Sequence, residues 1–529
     1  MMPSSIYTAI SFAPVQGFIE RSRKLRDLFG ASLLLSHLSD RLIEWTTEQV
    51  GEENLISPAM INHQKGTPNR ILVKGHLERN DIANELMKAW QNVLDTCENW
   101  IQDEVPAAID YGWKEEWNHW KRYAWEVFWG QGESAIEAMR DLETRKLQRD
   151  WVGINWLGES SSLSGADAIV YPGLGTIAMK PGNTVTKADY TSFYRQLAWS
   201  IEHPGEFVPD SAEDEEISKF IDPSERLSIP ELTKRLITLP KLARRLKIEF
   251  PEKFNDTSRE PGEWTGWFMA DGDRMGEHLQ KLSQQADSDT ALKDFSRSMR
   301  EWGKDFEAEF PRDLGRIIYA GGDDFLGAIY AEADRSSITT QKVLDWLYAM
   351  PEQWATHKQP ITVSMGFVWA GHGVPQRDIL QHCREAEKRS KSFGRDRLTL
   401  RVVFNSGQFV QWTCPWKYLQ ILQLYCDRDG KQNWVHLYND WAHLKARHTV
   451  SIGKDSENAD DRIALSLIDR YFDFEKQHQK AYGMSMKDYL THGYQDCYDQ
   501  PIAGRDDPKA LIEWIDGLIQ VGWQLCSNS

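Results

Sequence analysis

The sequence predicts an α+β fold with two ferredoxin-like (βαββαβ) units, a helical connecting region and a helical C-terminal region. Three observations carry this. The order strand, helix, strand, strand, helix, strand can be read twice. Hydrophobic residues make up 41% and charged residues 27% of 529 residues, enough core for three or four domains. The longest apolar runs, such as Ala31–Leu35, are too short to cross a bilayer. The expected domains are residues 1–150, 151–260, 261–408 and 409–529.

In the first unit, Tyr7–Phe12 alternates as a strand, and Pro14 and Gly17 punctuate the chain just after it. Phe18–Glu44 reads as one helix, with Leu25, Leu28, Leu33, Leu34 and Leu38 near helical spacing. Arg21, Arg23, Lys24 and Arg26 form a basic cluster at its start, either a solvated face or a contact for phosphate or RNA. Ala59–His63 and Arg70–Lys74 read as strands around a turn, Asp81–Asp103 as a helix and Ala124–Trp129 as a strand.

Between 151 and 260 the pattern is helical, with candidates at Asp189–Ile201 and Ile229–Leu246 and an acidic stretch at Asp210–Glu216. The second unit begins at Trp264–Ala270, a strand running into Asp271-Gly272-Asp273. Strands Arg316–Ala320 and Phe325–Tyr330 flank the turn Gly321-Gly322-Asp323-Asp324. A helix (Gln341–Trp354), a strand (Ile361–Trp369), a second helix (Gln376–Lys391) and a strand (Leu398–Phe404) come next. Beyond residue 409 helical patterns dominate.

A net charge of −17 is wrong for a free nucleic-acid binder; such contact needs a local basic strip or partner subunits. No signal peptide is evident, so a cytoplasmic location is expected. The six cysteines form no C-x-x-C pair, so no zinc or dithiol redox site is expected. Many of the 23 tryptophans fall in helical stretches, where they are expected to pack cores or interfaces.

The chemistry concentrates in the second unit. Its topology brings Asp271, at the end of the first strand, near Asp323 and Asp324 at the hairpin turn, with Asp273 close by. Clustered carboxylates are costly without a cation. Hard oxygen ligands with substrate phosphates suit Mg²⁺ or Mn²⁺. Gly321 and Gly322 suit a tight turn and leave room for a nucleotide. Lys391, at a helix end before Gly394, is placed for phosphate, or is a C-terminal lysine favoured by the helix dipole.

Gly321-Gly322-Asp323-Asp324 with Lys391-x-x-Gly394-Arg395-Asp396-Arg397 resembles the palm domains of diguanylate-type nucleotide cyclases. Asp271-Gly272-Asp273-Arg274-Met275-Gly276 resembles the first palm motif of the large subunit of type III CRISPR effector complexes. Pro14-Val15-Gln16-Gly17-Phe18-Ile19 and Arg23–Ser36 are similar to the opening of that subunit in the Cmr (III-B) branch. The resemblance covers roughly 1–75 and 264–408.

The resemblance implies ATP binding between two palms. It also implies target-RNA-activated synthesis of cyclic oligoadenylate, or of an AMP conjugate of S-adenosylmethionine. Carried over, Asp271, Asp323 and Asp324 are catalytic. Asp271 and Asp324, with Asp323 in support and the Gly272 carbonyl, hold Mg²⁺ or Mn²⁺. Gly272, Asp273, Gly321, Gly322 and Lys391 contact the nucleotide. The implied partners are the backbone and small subunits of the ribonucleoprotein, guide RNA and target RNA, with no membrane. The chain has no His-Asp dipeptide, so the DNA-cutting domain of many relatives is not expected.

Two other readings stand beside this one: a non-catalytic architectural subunit of the same complex, and a stand-alone dinucleotide cyclase. A G-x-G-x-x-A match at Gly173–Ala178 points weakly to a dinucleotide fold, against which Pro181 interrupts the required helix.

Overall fold

The computed structural model describes residues 6–58, 69–106, 114–148, 159–171, 186–212, 217, 220–249, 257, 261–331, 338–425, 427, 433–450, 462–472 and 508–527. The expected strand Ala59–His63 and the Gly173–Ala178 match lie outside these residues. The chain divides into two compact units. One holds residues 1–256 with 280–300, the other residues 257–279 with 301–529.

The first unit opens with β1 (Tyr7–Ala13), α1 (Val15–Glu20) and α2 (Leu25–Val50). β2 (Leu55–Ser57), β3 (Arg70–Lys74), α3 (Arg79–Glu104), α4 (Lys114–Tyr123), β4 (Glu126–Gly132) and α5 (Ala135–Leu147) follow. The sheet order is β2-β3-β1-β4, antiparallel throughout, which is the ferredoxin-like arrangement. The single helix expected over Phe18–Glu44 is two helices. Lys24 takes extended backbone as the cap of α2, and its N–H donates to the Asp27 carboxylate at 3.2 Å.

The connecting region adds α6 (Lys187–Glu202), α7 (Ile229–Leu236) and α8 (Pro240–Leu246). The helix expected over Ile229–Leu246 breaks because Pro240 has no N–H to continue α7 and instead begins α8. The basic cluster meets this region, with the Arg21 side chain still 48% exposed. Arg21 pairs with Asp167 at 2.8 Å, Lys24 with Glu225 at 3.0 Å, and Arg26 lies 4.3 Å over the Phe220 ring. Beneath them Arg235 forks onto both oxygens of Asp27, at 2.8 and 3.0 Å, and pairs with Glu225 at 2.5 Å.

The second unit carries β5 (Trp264–Gly272), followed along the chain by α9 (Met275–Ser283) and α10 (Ser288–Glu309). Next come β6 (Gly315–Ala320), β7 (Asp324–Ile329), α11 (Thr340–Ala355), β8 (Val363–Gly371), α12 (Gln376–Ser392), β9 (Arg397–Val403) and β10 (Phe409–Pro415). Its sheet runs β10-β9-β8-β5-β7-β6. The last four strands repeat the ferredoxin-like order, and β9 adds in parallel to β8. Strand β10 falls where a helix was expected. A turn closed by Gly407, whose N–H donates to Phe404 O at 2.8 Å, folds it back on β9. Helices α13 (Ile421–Leu424), α14 (Val435–Ala446), α15 (Arg462–Tyr471) and α16 (Pro508–Cys526) complete the unit. Trp514 of α16 donates to Thr413 O of β10 at 2.8 Å.

The core of the second unit is aromatic. Trp302 and Phe306 stack with ring centroids 5.0 Å apart and pack on Phe325, just beyond the Gly321–Asp324 turn. Trp354 closes the cluster, 4.6 Å from Trp302. Such rings bury large apolar areas with fixed geometry, so the hairpin rests on a stiff base.

Candidate active site

The site forms where β5 and β7 run side by side. Asp271 and Asp324 are direct partners in the antiparallel register, so their side chains share a face. Gly322 and Asp323 form a two-residue turn, and Gly321 N–H donates to Asp324 O at 2.8 Å across it. Gly322 has φ of 121°, a backbone region that favours glycine. The Gly272 N–H donates to Asp323 O at 2.9 Å, tying the turn to the end of β5.

The acidic residues divide by environment. Asp273 is buried, and its carboxylate accepts from Ser364 Oγ at 2.7 Å, Thr362 Oγ1 at 2.8 Å and Asp396 N–H at 2.9 Å. Burial raises its pKa although all three donors oppose the rise. The fold itself therefore engages this carboxylate. Asp324 accepts from the Tyr319 hydroxyl at 3.1 and 3.2 Å. Close enclosure by protein, then the charges of Asp271 and Asp323, push Asp324 up to about 8, although part of its side chain still meets solvent. Burial and the same carboxylate hold the Tyr319 hydroxyl well above its ordinary value, so it stays a donor.

Lys391, in the last turn of α12, pairs with Asp271 and, at 2.6 Å, with Glu387. Burial alone lowers its pKa, but the two carboxylates outweigh that and hold it raised. The structure thus brings Asp271, Asp323, Asp324 and Lys391 together around Gly272, Gly321 and Gly322. Sequence reading assigned no role to Glu387 or Tyr319. The i,i+4 spacing of Glu387 and Lys391 was the available signal for the first. Tyr319 had none.

Among the described residues no three carboxylate, imidazole or thiolate side chains are grouped to hold a metal ion. The Asp271–Asp324 pair still fits one. Mg²⁺ is commonly held by one or two carboxylates plus substrate phosphates. Burial first, and then the charges of Asp271 and Asp323, raise the pKa of Asp324, and a cation would relieve the second of these.

Elsewhere a cavity of about 510 Å³ lies between α3 and β4, lined by Arg79, Trp90, Trp125 and Arg145 among others. Glu126 is the one carboxylate named among its lining residues, so it offers no acidic pair.

Two sheets of the same ferredoxin-like order, the second with paired carboxylates at its hairpin, define a palm-domain protein. Residues 264–399 match the second palm domain of Cas10/Cmr2, and residues 7–107 match the N-terminal family of the CRISPR-associated protein Cmr2. Through these two matches the chain is similar to the Cas10/Cmr2 family, the large subunits of the Cmr branch of type III systems. Comparison with curated proteins returns no match.

Among solved structures, the chain is similar in fold to the apo state of a Type III-B Cmr-beta assembly seen by cryo-EM. The TM-score is 0.59 at 11% identity, covering 98% of this chain and 82% of that one. The same assembly bound to cognate target RNA gives 0.57 at 11% identity, over 98% and 83%. No helix among the described residues is long and apolar enough to cross a membrane.

Proposed function

We propose that this chain is the nucleotidyltransferase of an RNA-guided complex, switched on by target RNA and using ATP. Its product is cyclic oligoadenylate or an AMP conjugate of S-adenosylmethionine. Its partners are the other subunits of the ribonucleoprotein, guide RNA and target RNA. The observation that carries the reading is the in-register pairing of Asp271 with Asp324, with Lys391 on the first of them.

In this mechanism Asp271 and Asp324 would hold Mg²⁺ or Mn²⁺, with the Gly272 carbonyl as a further oxygen. When bound, the metal would supply charge neutralisation and activation of the attacking hydroxyl. Gly321 and Gly322 leave space for the nucleotide against the turn. Lys391 pairs with the triphosphate. A hydroxyl oxygen of the acceptor attacks the α-phosphorus of ATP, a new P–O bond forms, the α–β bond breaks and pyrophosphate leaves. Asp323 takes the hydroxyl proton.

One observation favours the architectural alternative: Lys391 already neutralises Asp271, so the site is not bare of counter-charge. The reconstituted complex with labelled ATP separates the two. New product only with matching target RNA and Mg²⁺ or Mn²⁺ supports synthesis, and its mass identifies it. Intact target binding with no product in any mixture, S-adenosylmethionine included, leaves the architectural reading.

A further inference from the structure

Glu387 sits on α12 where the helix presses on β8. A Cβ on Gly366 of β8 would lie 2.4 Å from both Cys383 O and Glu387 N, so only glycine allows this approach. The end of the helix is pinned too, since Ser390 Oγ donates to Met365 O at 2.8 Å and pairs with Thr399 Oγ1 at 2.7 Å. Glu387 is therefore fixed in position, one turn before Lys391. The Glu387 and Asp271 side chains are 15% and 34% exposed, and Lys391, 29% exposed, touches both. A single ammonium on a flexible stem serves two partly sheltered carboxylates, and one of them belongs to the proposed metal pair.

We propose that Glu387 is a positioning residue: it shares the Lys391 ammonium, the resident counter-ion of Asp271, and retains that ammonium when a divalent cation takes the Asp271 carboxylate. This rests on the reading of Asp271 and Asp324 as metal ligands. Lys391 then has two duties of opposite sign. It competes with the metal before nucleotide arrives, and it pairs with phosphate afterwards. Glu387 lowers the cost of the exchange, because the displaced ammonium keeps an anionic partner within its own reach.

The test is Mn²⁺ affinity of the full chain by electron paramagnetic resonance, without nucleotide. It is measured for wild type, Lys391→Met, Glu387→Gln and the double variant, with Asp271→Asn as control. The expected result is that Lys391→Met binds Mn²⁺ about tenfold more tightly, since a competing unit charge is removed. The same variant binds ATP more weakly. Glu387→Gln weakens Mn²⁺ binding about threefold when Lys391 is present and has little effect in the Lys391→Met background.

An unchanged or weaker Mn²⁺ affinity in Lys391→Met, with wild type binding normally and Asp271→Asn not, overturns this proposal alone. An equal Glu387→Gln penalty in both backgrounds reduces Glu387 to a bystander charge and also overturns it. Absence of Mn²⁺ binding in wild type without nucleotide overturns the exchange proposed here, and binding untouched by Asp271→Asn overturns the metal-site reading itself.

Discussion

The carboxylate of Asp273 accepts the backbone N–H of Asp396 at 2.9 Å across 123 residues of sequence. Gly394, Arg395 and Asp396 all have positive φ, so the link from α12 to β9 runs through a left-handed stretch containing two non-glycine residues. Such backbone costs of order 1 kcal/mol per residue and persists only when its surroundings hold it. Asp273 is one such hold. Asp273→Ala is expected to lower stability by about 3 kcal/mol, as three hydrogen bonds to a buried carboxylate are lost. Denaturant unfolding measures this, and a loss below about 1 kcal/mol would mean the loop holds itself.

Asp324→Asn is expected to act in opposite directions on stability and turnover. In chelator the substitution replaces a carboxyl whose ionised form burial and then the charges of Asp271 and Asp323 disfavour, so the melting temperature should stay level or rise. Product formation should fall about a hundredfold or more. The double change of Asp323 and Asp324 to Ala should abolish synthesis with assembly intact. Turnover at the wild-type rate in that variant would remove the site assignment.

The Asp27–Arg235 pair is buried at both ends, with side chains 1% and 0% exposed. Asp27→Ala leaves the guanidinium with Glu225 as its remaining carboxylate partner. The expected loss is about 3 kcal/mol, at the lower end for a broken buried pair because Glu225 stays. Equilibrium unfolding of the variant checks it, and a neutral result would show that the cavity takes in water to solvate the arginine.

His357 gives a pH dependence with a definite sign. Burial beside Trp302 and Trp354 lowers its pKa from 6.5 to about 4, and its Nδ1 accepts from Gln359 N–H at 2.8 Å. Between those values the unfolded chain binds a proton that the native imidazole refuses. Stability contributed by this residue is therefore full above pH 6.5 and lost as pH falls toward 4, by up to about 3 kcal/mol. The difference in unfolding free energy between wild type and His357→Gln, followed from pH 7 to pH 4, isolates the effect. A flat difference would rule it out.

Strands β1, β3 and β4 of the first sheet and β5 to β9 of the second were legible because they are short apolar runs between strong turn signals, as in Tyr7–Phe12 and the two strands around Gly321-Gly322-Asp323-Asp324, whereas β2, only Leu55–Ser57, was not. The convergence of Asp271 on Asp324 came from strand order alone. Other features depend on partners that no local pattern reveals. Lys24 looks helical until the Asp27 carboxylate accepts its N–H, and Phe409–Pro415 looks like part of a helical region until β9 offers it an edge. Asp273 and Asp271 are alike in sequence, and only Ser364, Thr362 and Asp396 set one apart as internal.

The inward engagement of Arg21, Lys24 and Arg26 bears on how genetic defects at these positions would be read. If charge reversal there weakens RNA binding by the assembled complex, the loss has two readings, a broken ion pair or a lost phosphate contact. The counter-ion signature separates them: the slope of log affinity against log salt stays put if the altered cation touches no phosphate and becomes shallower if it does. An unchanged slope assigns the loss to the seam between the opening helices and the connecting region, and a compensating cation at Asp167 for Arg21, or at Glu225 for Lys24, then restores binding.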